Sequence, residues 1–372
     1  MKRIQEIQIE NDLKKKMVFL VGPRQVGKTW LAKKIAEGYD HPLYLNYDNS
    51  NDREIILGEN WLPNTDLLIL DEIHKLPDWK NYLKGVYDNK YKELAILVTG
   101  SARLDTFRQS GDSLAGRYFV HYLLPLSYRE SFEDKKFTLD QIIVRGGFPE
   151  PLLAESDDEA NRWRKFYIDI MIREDILDFE NINEIRVMEV LVKMLRKRVA
   201  SPLSYSSLAN DLGKSPHTIK KYIRVLEALY IVFLVTPFSK NIARSIRKEP
   251  KLYFYDTGLV DGDSGVKFEN QLAVSLYKHC LHQYCVSGKE IELHYLRTKE
   301  KREVDFCFSE DGELIQLIEA KSSDNSIDKN LIYFSERYKT NGVQVVRYLR
   351  KERTLGNISV VKAENFLLSL EI

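Results

Sequence analysis

The stretch Gly22-Pro23-Arg24-Gln25-Val26-Gly27-Lys28-Thr29 decides the fold of this chain. It matches the pattern G-x-x-x-x-G-K-[ST], follows an apolar run over residues 18–21 and opens a helical pattern with apolar residues at 31 and 35. In this strand–loop–helix context the pattern forms a phosphate-binding loop. Its glycines let backbone N–H groups wrap around phosphate oxygens, and the helix start adds positive potential. We therefore expect all eight residues to contribute to a nucleotide site.

Two carboxylates follow another apolar run of the sequence. Asp71 and Glu72 come directly after residues 67–70. An acidic residue at the carboxyl end of a strand beside a phosphate-binding loop is typical of a Mg²⁺ site. We expect Thr29 and Asp71 to bind Mg²⁺ and Lys28 to reach the β- and γ-phosphates. Glu72 is the candidate that orients or deprotonates the attacking water.

These residues predict hydrolysis of ATP to ADP and phosphate. Further side chains are candidates to contact the γ-phosphate. ATP is preferred to GTP because the chain has no guanine-reading Asn-Lys-x-Asp motif. Ser101 follows an apolar run, with Thr99 as the second choice, and the alternative is a turn capped by a hydroxyl. Arg117 could stabilise the transition state, from its own subunit or from a neighbour in a homo-oligomer, and the alternative is an ordinary salt bridge. Arg103 is a weaker candidate.

Residues 17–125 alternate short apolar runs with helical patterns, which is typical of an α/β fold with a parallel sheet. A charged helical segment follows, then a basic segment, then mixed helix and strand. We therefore predict an ATPase domain at 1–155, a helical segment with a helix-turn-helix at 156–258 and an α/β domain at 259–372. The strands predicted in the first domain are Met17–Val21, Leu43–Tyr47, Leu67–Leu70, Leu94–Val98 and Tyr118–Leu123.

Composition limits the class of protein. The 372 residues are 44% apolar and 30% charged, which excludes a disordered or collagen-like chain. The net charge of +1 excludes a uniformly basic coat. Cys280, Cys285 and Cys307 are too few for a disulfide framework and lack paired zinc spacing. The N-terminus is polar, and no apolar stretch approaches the roughly 20 residues that span a bilayer, so we expect a soluble cytoplasmic protein without a membrane partner.

Residues 201–260 form a basic segment, with nine Lys or Arg against four acidic residues and a net charge of +5. Two helices are predicted, one over 205–212 and one that starts at Ser215 and Pro216. The second helix buries apolar residues at helical spacing, and its opposite face carries His217, Lys220, Lys221 and Arg224. Two strands, over 231–236 and 251–255, would form a wing around a loop that contains Lys240, Arg244, Arg247 and Lys248.

This pattern predicts a winged helix-turn-helix that contacts the phosphates of double-stranded DNA. No Asn or Gln on the second helix is suited to read bases, so no sequence specificity is predicted. Two alternatives remain: a module that contacts a protein partner, and a lysine-rich helix face that is only solvated.

Acidic and basic side chains recur in the last part of the chain. Residues 302–308 and 314–321 are predicted to form a hairpin, which puts Glu319 and Lys321 on one face with Asp305 beside them. Glu269, on a predicted helix, could add a third acid. Such a set could bind a metal ion, activate water and stabilise a scissile phosphate. The alternative is that Glu319 and Lys321 protect the edge of a sheet.

The segments GPRQVGKT (22–29), LLILDEIHKLPDW (67–79), VTGSARL (98–104), LAGRYFVHYLLPLSYRE (114–130) and RGGFPEPL (145–152) occur in the order typical of one family. The chain resembles prokaryotic AAA+-superfamily ATPases with a C-terminal domain of unknown function. The resemblance implies a five-stranded core with the strand before the loop at its centre, and it implies the same roles for Lys28, Thr29, Asp71 and Glu72. The pattern D-x(n)-E-x-K near the C-terminus resembles the restriction-endonuclease-like fold.

Three functions are compatible with the sequence. The first is an ATP-hydrolysing protein that couples its nucleotide state to binding of DNA. The second is a nucleotide-gated switch for DNA or a protein partner, with little turnover. The third is a metal-dependent DNA nuclease with an accessory ATPase.

Overall fold

The computed structural model describes residues 3–91, 93–100, 114–133, 137–175, 184–239, 248–323 and 326–371. The chain divides into two compact units, Met1–Leu124 and Pro125–Ile372. The boundaries near 155 and 258 expected from the sequence stay predictions. Each unit contains one sheet of its own.

The first unit contains a parallel sheet of five strands in the order β2-β3-β4-β1-β5. All side chains of β1, β3 and β4 are buried, as expected where helices cover both faces of a parallel sheet. The predicted α/β class and its five strands are confirmed. One detail differs from the resemblance, because β4 occupies the middle of the sheet and β1 lies between β4 and β5. The strands are β1 (Met17–Val21), β2 (Pro42–Asn46), β3 (Leu67–Asp71), β4 (Ala95–Gly100) and β5 (Tyr118–Tyr122).

The helices of the first unit begin where local sequence signals favour a start. Asn49 accepts hydrogen bonds from the N–H groups of Asn51 and Asp52 and thereby caps α3. Helix α2 begins at Lys28, directly after the phosphate-binding loop. The helices are α1 (Glu6–Leu13), α2 (Lys28–Ala36), α3 (Ser50–Gly58) and α4 (Trp79–Asn89), with a 3₁₀ turn at Ile73–Lys75.

The second unit contains a mixed sheet of eight strands in the order β12-β13-β11-β10-β9-β8-β6-β7. Strands β9 and β10 form the hairpin predicted from the sequence, and β10 continues in parallel with β11. Strands β6 and β7 pair antiparallel, and the end of β6 joins the sheet through β8. The strands are β6 (Val232–Pro237), β7 (Lys251–Phe254), β8 (Ile291–Arg297), β9 (Glu303–Glu310), β10 (Glu313–Ser323), β11 (Gly342–Tyr348), β12 (Arg353–Leu355) and β13 (Ile358–Lys362).

Two helices of the second unit confirm the helix pair predicted from the basic segment. Ser215 accepts a hydrogen bond from the N–H group of Thr218, and Pro216 is the first residue of α11. Across its described residues the unit contains no helix long and apolar enough to cross a bilayer, and neither does the first unit. Its helices are α5 (Tyr128–Glu133), α6 (Leu139–Arg145), α7 (Pro149–Leu153), α8 (Asp157–Ile170), α9 (Ile185–Arg196), α10 (Tyr205–Leu212), α11 (Pro216–Ala228), α12 (Ser264–Ser287), α13 (Lys329–Tyr338) and α14 (Ala363–Ser369).

The glycine pair between α6 and α7 is required by close packing. Gly146 has φ +69°, and a Cβ there would lie 1.8 Å from the Oδ1 atom of Asp256. Asp256 is buried and forms an ion pair with Arg164, whose Nε lies 2.9 Å from Oδ2. A Cβ on Gly147 would lie 2.5 Å from the carbonyl oxygen of Leu126. These glycines therefore let the chain turn directly against a buried ion pair.

We predict that Gly146→Ala lowers the free energy of unfolding by about 2 kcal/mol or more, because it adds a clash to the cost of a positive φ. Gly312→Ala is the matched control, because Gly312 has φ +77° and no atom within 4 Å of an added Cβ. Its cost should be about 1 kcal/mol. Urea midpoints of both variants give the comparison, and equal losses would contradict the packing role of Gly146.

Candidate functional site

The phosphate-binding loop has no room for a side chain at Gly22, its first glycine. A Cβ on Gly22 would lie 2.1 Å from the carbonyl oxygen of Leu123. Gln25 has φ +58°, and Gly27 has φ +99° at the position before α2. Left-handed residues in such a loop turn successive N–H groups toward a common centre and form an anion-binding nest. The loop is therefore built to receive a phosphate group.

Lys28 lies over this loop. It is 7% exposed, and its Nζ donates hydrogen bonds to the carbonyl oxygens of Gly22, at 3.0 Å, and Pro23, at 2.7 Å. The ammonium group is therefore held at the loop and not in solvent. Contact of Lys28 with the β- and γ-phosphates stays a prediction.

A buried arginine that the sequence reasoning missed supports the same loop. Arg3 is 2% exposed, its Nη1 donates to the carbonyl oxygen of Leu124 at 3.1 Å, and its Nη2 donates to the carbonyl oxygen of Val26. These partners lie 121 and 23 residues away in the chain. No local signal distinguishes Arg3 from the other basic residues near the N-terminus, because only the folded chain brings the partners together.

Asp71 is the centre of a hydrogen-bond network at the carboxyl ends of the strands. Its Oδ2 accepts hydrogen bonds from Thr29 Oγ1 at 3.1 Å and from Tyr44 Oη at 2.6 Å. Its Oδ1 accepts a hydrogen bond from Thr99 Oγ1 at 2.5 Å. Thr99, the second candidate for the γ-phosphate, thus contacts the carboxylate.

Tyr44 is the member of this network that the sequence did not predict. It lies on β2, the strand paired in parallel with β3. Burial, together with the hydrogen bond to Asp71, raises the pKa of the Tyr44 phenol above its usual range, so the group remains a donor. The sequence would have indicated the contact of Tyr44 with Asp71 only if it were known that β2 lies beside β3.

The donors at this position suit Mg²⁺. A carboxylate and a hydroxyl are the hard oxygen ligands that this ion prefers, and Thr29 and Asp71 are in hydrogen-bond contact. The residues present therefore fit the metal that the sequence predicts.

Glu72 adopts a backbone conformation that is uncommon for a residue with a side chain. Its φ is +56°, and its N–H group donates to the carbonyl oxygen of Thr99 at 3.1 Å. Its Oε2 lies 3.4 Å from Nε2 of His74, whose side chain is buried. Burial, and then the neighbouring Asp71 carboxylate, raises the pKa of Glu72. A raised pKa makes the carboxylate a better proton acceptor near neutral pH.

Arg117 lies at the amino ends of the strands, opposite the end that holds the phosphate-binding loop. Its Nε and Nη2 are 2.8 and 3.1 Å from the carboxylate oxygens of Asp88. The carbonyl oxygen of Arg117 accepts from the N–H group of Met17, at the start of β1, whereas the phosphate-binding loop follows the end of β1. In its own chain the guanidinium therefore forms a salt bridge away from the loop. Ser101 and Arg103 lie outside the described residues.

The second unit brings the four candidate residues of the C-terminal constellation together. The N–H group of Asp305 donates to Glu319 Oε2 at 3.2 Å, and Lys321 Nζ lies 2.7 Å from Glu319 Oε1. Lys321 also lies 2.9 Å from Asp328 Oδ2. Glu269 joins them through a lysine that the sequence reasoning did not assign to this site.

That lysine is Lys251, the first residue of β7. It is 1% exposed, and its Nζ lies 2.7 Å from Glu303 Oε1, 3.3 Å from Glu269 Oε1 and 3.5 Å from Asp305 Oδ1. Tyr253 also donates to Glu269 Oε1, at 2.8 Å. Lys251 is one of the nine basic residues in the segment 201–260, but its ammonium group is buried among carboxylates and therefore adds nothing to the positive surface expected there.

We call Lys251, Glu269, Glu303, Asp305, Glu319, Lys321 and Asp328 the carboxylate–lysine cluster. Its five carboxyl groups exceed its two ammonium groups. Burial, reinforced by the Asp305 carboxylate, raises the pKa of Glu269 to about 7 and that of Glu319 to about 8. Burial alone would lower the pKa of Lys251, but Glu269, Asp305 and Glu303 together raise it. In the part of the chain that the structure describes, no three His, Cys, Asp or Glu side chains are arranged to hold a metal ion.

The basic face of α11 is open to solvent. His217, Lys221 and Arg224 are exposed, and Lys220 is half-exposed. Lys248 is exposed as well. The remaining candidates of the wing, Lys240, Arg244 and Arg247, lie outside the described residues.

Three family models match successive parts of this chain. Residues 14–132 match a model described as an AAA domain, residues 136–267 match a domain of unknown function (DUF8612), and residues 264–366 match another (DUF4143). Residues 14–132 are therefore similar to an AAA domain, and the five-stranded parallel sheet with its phosphate-binding loop agrees with that similarity.

The chain is also similar to proteins of several organisms over most of their length. An uncharacterized protein of Mycobacterium tuberculosis is 26% identical over 325 residues, which cover 85% of this chain and 72% of that protein. An uncharacterized protein of Methanocaldococcus jannaschii is 27% identical over 337 residues, which cover 81% and 74%. Among solved structures, a Walker-type ATPase of Pyrococcus abyssi has a TM-score of 0.45 and 14% identity, and the match covers 70% of this chain and 94% of that one.

The carboxylate–lysine cluster predicts a pH dependence of stability. Because Glu319 has a higher pKa in the folded chain than its usual 4.5, the folded state holds a proton that the unfolded state has lost. The free energy of unfolding should therefore fall as the pH rises from about 5 to about 8.

In Glu319→Gln this decrease in the free energy of unfolding should be smaller by on the order of 1 kcal/mol, because the amide does not titrate. Urea midpoints at several pH values across this range measure the difference. Glu290→Gln is the control, since Glu290 is exposed and outside the cluster. If the wild type and Glu319→Gln gave parallel pH profiles, the buried carboxyl would not be the source.

Proposed function

We propose that this protein hydrolyses ATP at the phosphate-binding loop, Asp71 and Glu72. The observation that carries this proposal is the 3.1 Å hydrogen bond between Thr29 and Asp71, which brings the two expected Mg²⁺ ligands together beside the loop. The AAA-type P-loop domain supports nucleotide binding and hydrolysis as the activity of the first unit.

Each side chain of the site would have a separate role. Backbone N–H groups of residues 22–29 would bind the phosphates, and Lys28 would stabilise charge on the β- and γ-phosphate oxygens. Thr29 and Asp71 would hold Mg²⁺, which neutralises phosphate charge when bound. Glu72 would accept a proton from the attacking water, and its raised pKa supports this role.

Positioning residues complete the proposed site. Tyr44 and Thr99 fix the orientation of the Asp71 carboxylate through their hydrogen bonds. His74 lies beside the Glu72 carboxylate and limits its movement. Arg3 fixes the backbone of the loop at Val26. An assisting role for Arg117 requires a second subunit, since its own chain holds it at the opposite edge of the sheet.

We further propose that the second unit binds double-stranded DNA through the basic face of α11 and Lys248. The exposed His217, Lys221 and Arg224 support this contact, because surface cations bind backbone phosphates without a need for a particular sequence. Coupling of this contact to ATP turnover would make the protein a DNA-responsive ATPase.

The carboxylate–lysine cluster favours a second candidate function, metal-dependent cleavage of DNA. The observation in its favour is that Glu319 contacts both Asp305 and Lys321 on one sheet face and that carboxyl groups are in excess. The buried ammonium group of Lys251 opposes it, because this group already compensates Glu269, Glu303 and Asp305. A divalent ion would therefore have to compete with Lys251.

Phosphate release from ATP, with and without double-stranded DNA, tests the first proposal. We expect Lys28→Ala to abolish turnover, and Glu72→Gln to lower it by about 10²-fold or more while ATP still binds. Addition of DNA should raise the turnover of the wild type several-fold.

A triple variant, Lys220→Ala with Lys221→Ala and Arg224→Ala, should keep the basal rate and lose the stimulation. Lys289→Ala, an exposed lysine outside this face, is the control. Turnover that is indifferent to DNA would contradict the coupling to DNA and leave the basic helix as an internal or protein-binding module. Turnover at the level of Lys28→Ala would contradict the ATPase.

Nicking of supercoiled plasmid with Mg²⁺ or Mn²⁺ tests the second candidate. Cleavage should persist in Lys28→Ala and disappear in Glu319→Ala, because Glu319 belongs to the second unit and not to the ATP site. Intact plasmid across both metals, with and without ATP, would exclude the nuclease.

A further inference from the structure

A pocket of the second unit is lined by no residue of α11 and by none of the carboxylate–lysine cluster. It opens between the end of β6, the start of the β7 region, the turn after β8 and the end of α13, and its volume is about 480 Å³. This volume is within the range of about 300–1,000 Å³ that is typical of small-ligand sites. We call it the β8–α13 pocket.

The floor of the β8–α13 pocket is aromatic. Phe238, Phe334 and Tyr338 line it together with the buried Leu296. The ring centroids of Phe334 and Tyr338 are 6.3 Å apart at an interplanar angle of 12°, and Phe238 meets Tyr338 edge-on, at 6.4 Å and 90°. Phe238 and Tyr338 are half-buried, so they can still offer surface to a planar ligand.

The rim of the pocket is positively charged. Lys248, Arg297, Lys299 and Arg337 line it, against the single acid Glu300. Lys248, Lys299 and Arg337 are exposed. The rim therefore favours a ligand with negative charge, and the floor favours one with a flat ring.

A ladder of guanidinium groups and tyrosine rings extends one side of the pocket. Arg337 Nη1 donates to the hydroxyl of Tyr333 at 2.5 Å, and the Arg337 guanidinium lies 5.9 Å from the ring centroid of Tyr338. On Tyr333, the guanidinium of Arg302 lies 4.4 Å from the ring centroid. Alternating cations and rings are the arrangement with which proteins follow the phosphates and bases of an unpaired strand.

We propose that the β8–α13 pocket binds a nucleotide unit of a single-stranded nucleic acid, with the base on Phe238 and Tyr338 and the phosphate at Lys248, Lys299 and Arg337. A nucleotide unit combines the planar ring and the negative charge that the pocket selects. The proposal deepens the nucleic-acid part of the proposed function, but it depends on neither α11 nor ATP hydrolysis.

The pocket is linked to the carboxylate–lysine cluster by side chains. Arg297 Nη1 lies 3.0 Å from Glu303 Oε2, and the other oxygen of Glu303 lies 2.7 Å from Lys251 Nζ. A phosphate that draws Arg297 away from Glu303 would therefore change the charge balance around Lys251. This connection gives bound nucleic acid a route by which it can affect the cluster.

Fluorescence anisotropy with a labelled single-stranded oligothymidylate tests the proposal. The protein carries Lys28→Ala, so that the ATP site does not contribute. Lys299→Glu should weaken binding by about tenfold, and Tyr338→Ala should weaken it to a similar degree. Tyr338→Phe keeps the ring and should bind within about twofold of the parent protein.

Two controls distinguish binding in the pocket from a general effect of surface charge and from binding by α11. Arg350→Glu reverses an exposed charge outside the pocket and should not weaken binding beyond about twofold. The triple variant of α11 should retain single-strand binding even if it loses double-strand binding. Failure of the DNA-stimulated ATPase and failure of the pocket are therefore distinguishable.

Competition with thymidine monophosphate distinguishes a nucleic-acid strand from a free nucleotide as the ligand of the pocket. Displacement of the oligonucleotide only at a large excess of the mononucleotide supports a strand as the ligand. Displacement at equal concentration of nucleotide units would assign the pocket to free nucleotides and overturn the strand assignment. Unchanged binding in both Lys299→Glu and Tyr338→Ala, or no binding by the parent protein, would overturn the proposal as a whole.

Discussion

The parallel pairing of β1 with β4 and of β4 with β3 is the constraint on which the nucleotide site depends. The carboxyl ends of parallel strands meet at one edge of a sheet, so residues far apart in the chain become neighbours there. Val21 pairs with Gly100, and Asp71 pairs with Thr99. The phosphate-binding loop and the Asp71 carboxylate are side by side for this reason. A change of register by one residue would turn Asp71 to the other face of the sheet.

In the second unit, the loss of water around buried charged groups governs how the carboxylate–lysine cluster is arranged. A buried ammonium group is stable only among charges that offset the water it has lost. Lys251 finds three carboxylates within 3.5 Å, while the total of five carboxyl groups in the cluster leaves negative charge in excess. Burial, reinforced by the Asp305 carboxylate, raises the pKa values of Glu269 and Glu319. Salt bridges at this depth set charge and orientation more than they add stability.

Local signals predicted the elements well and their long-range partners poorly. The loop, the strand that ends at Asp71, the helix α10 and the cap of α11 all depend on residues a few positions apart, and each was predicted with small errors at the boundaries. Arg3 and Tyr44 were missed because their partners are reached only through the fold. The burial of Lys251 was not predicted for the same reason, since a lysine in a basic segment gives no local sign of burial. The packing of Asp256 against Gly146 is likewise visible only in the fold, because the two residues are far apart in the sequence.

The sequence by itself determined that this chain contains a phosphate-binding loop followed by the carboxylates Asp71 and Glu72, because that chemistry depends on the backbone freedom of a few adjacent residues. It also determined the α/β class, since apolar runs and helical patterns alternate along the chain. Tertiary structure alone decided which groups surround Asp71, which edge of the sheet holds Arg117 and which lysine is buried with the C-terminal carboxylates. Those outcomes depend on strand order and burial, and both arise from contacts between residues that are distant in the sequence.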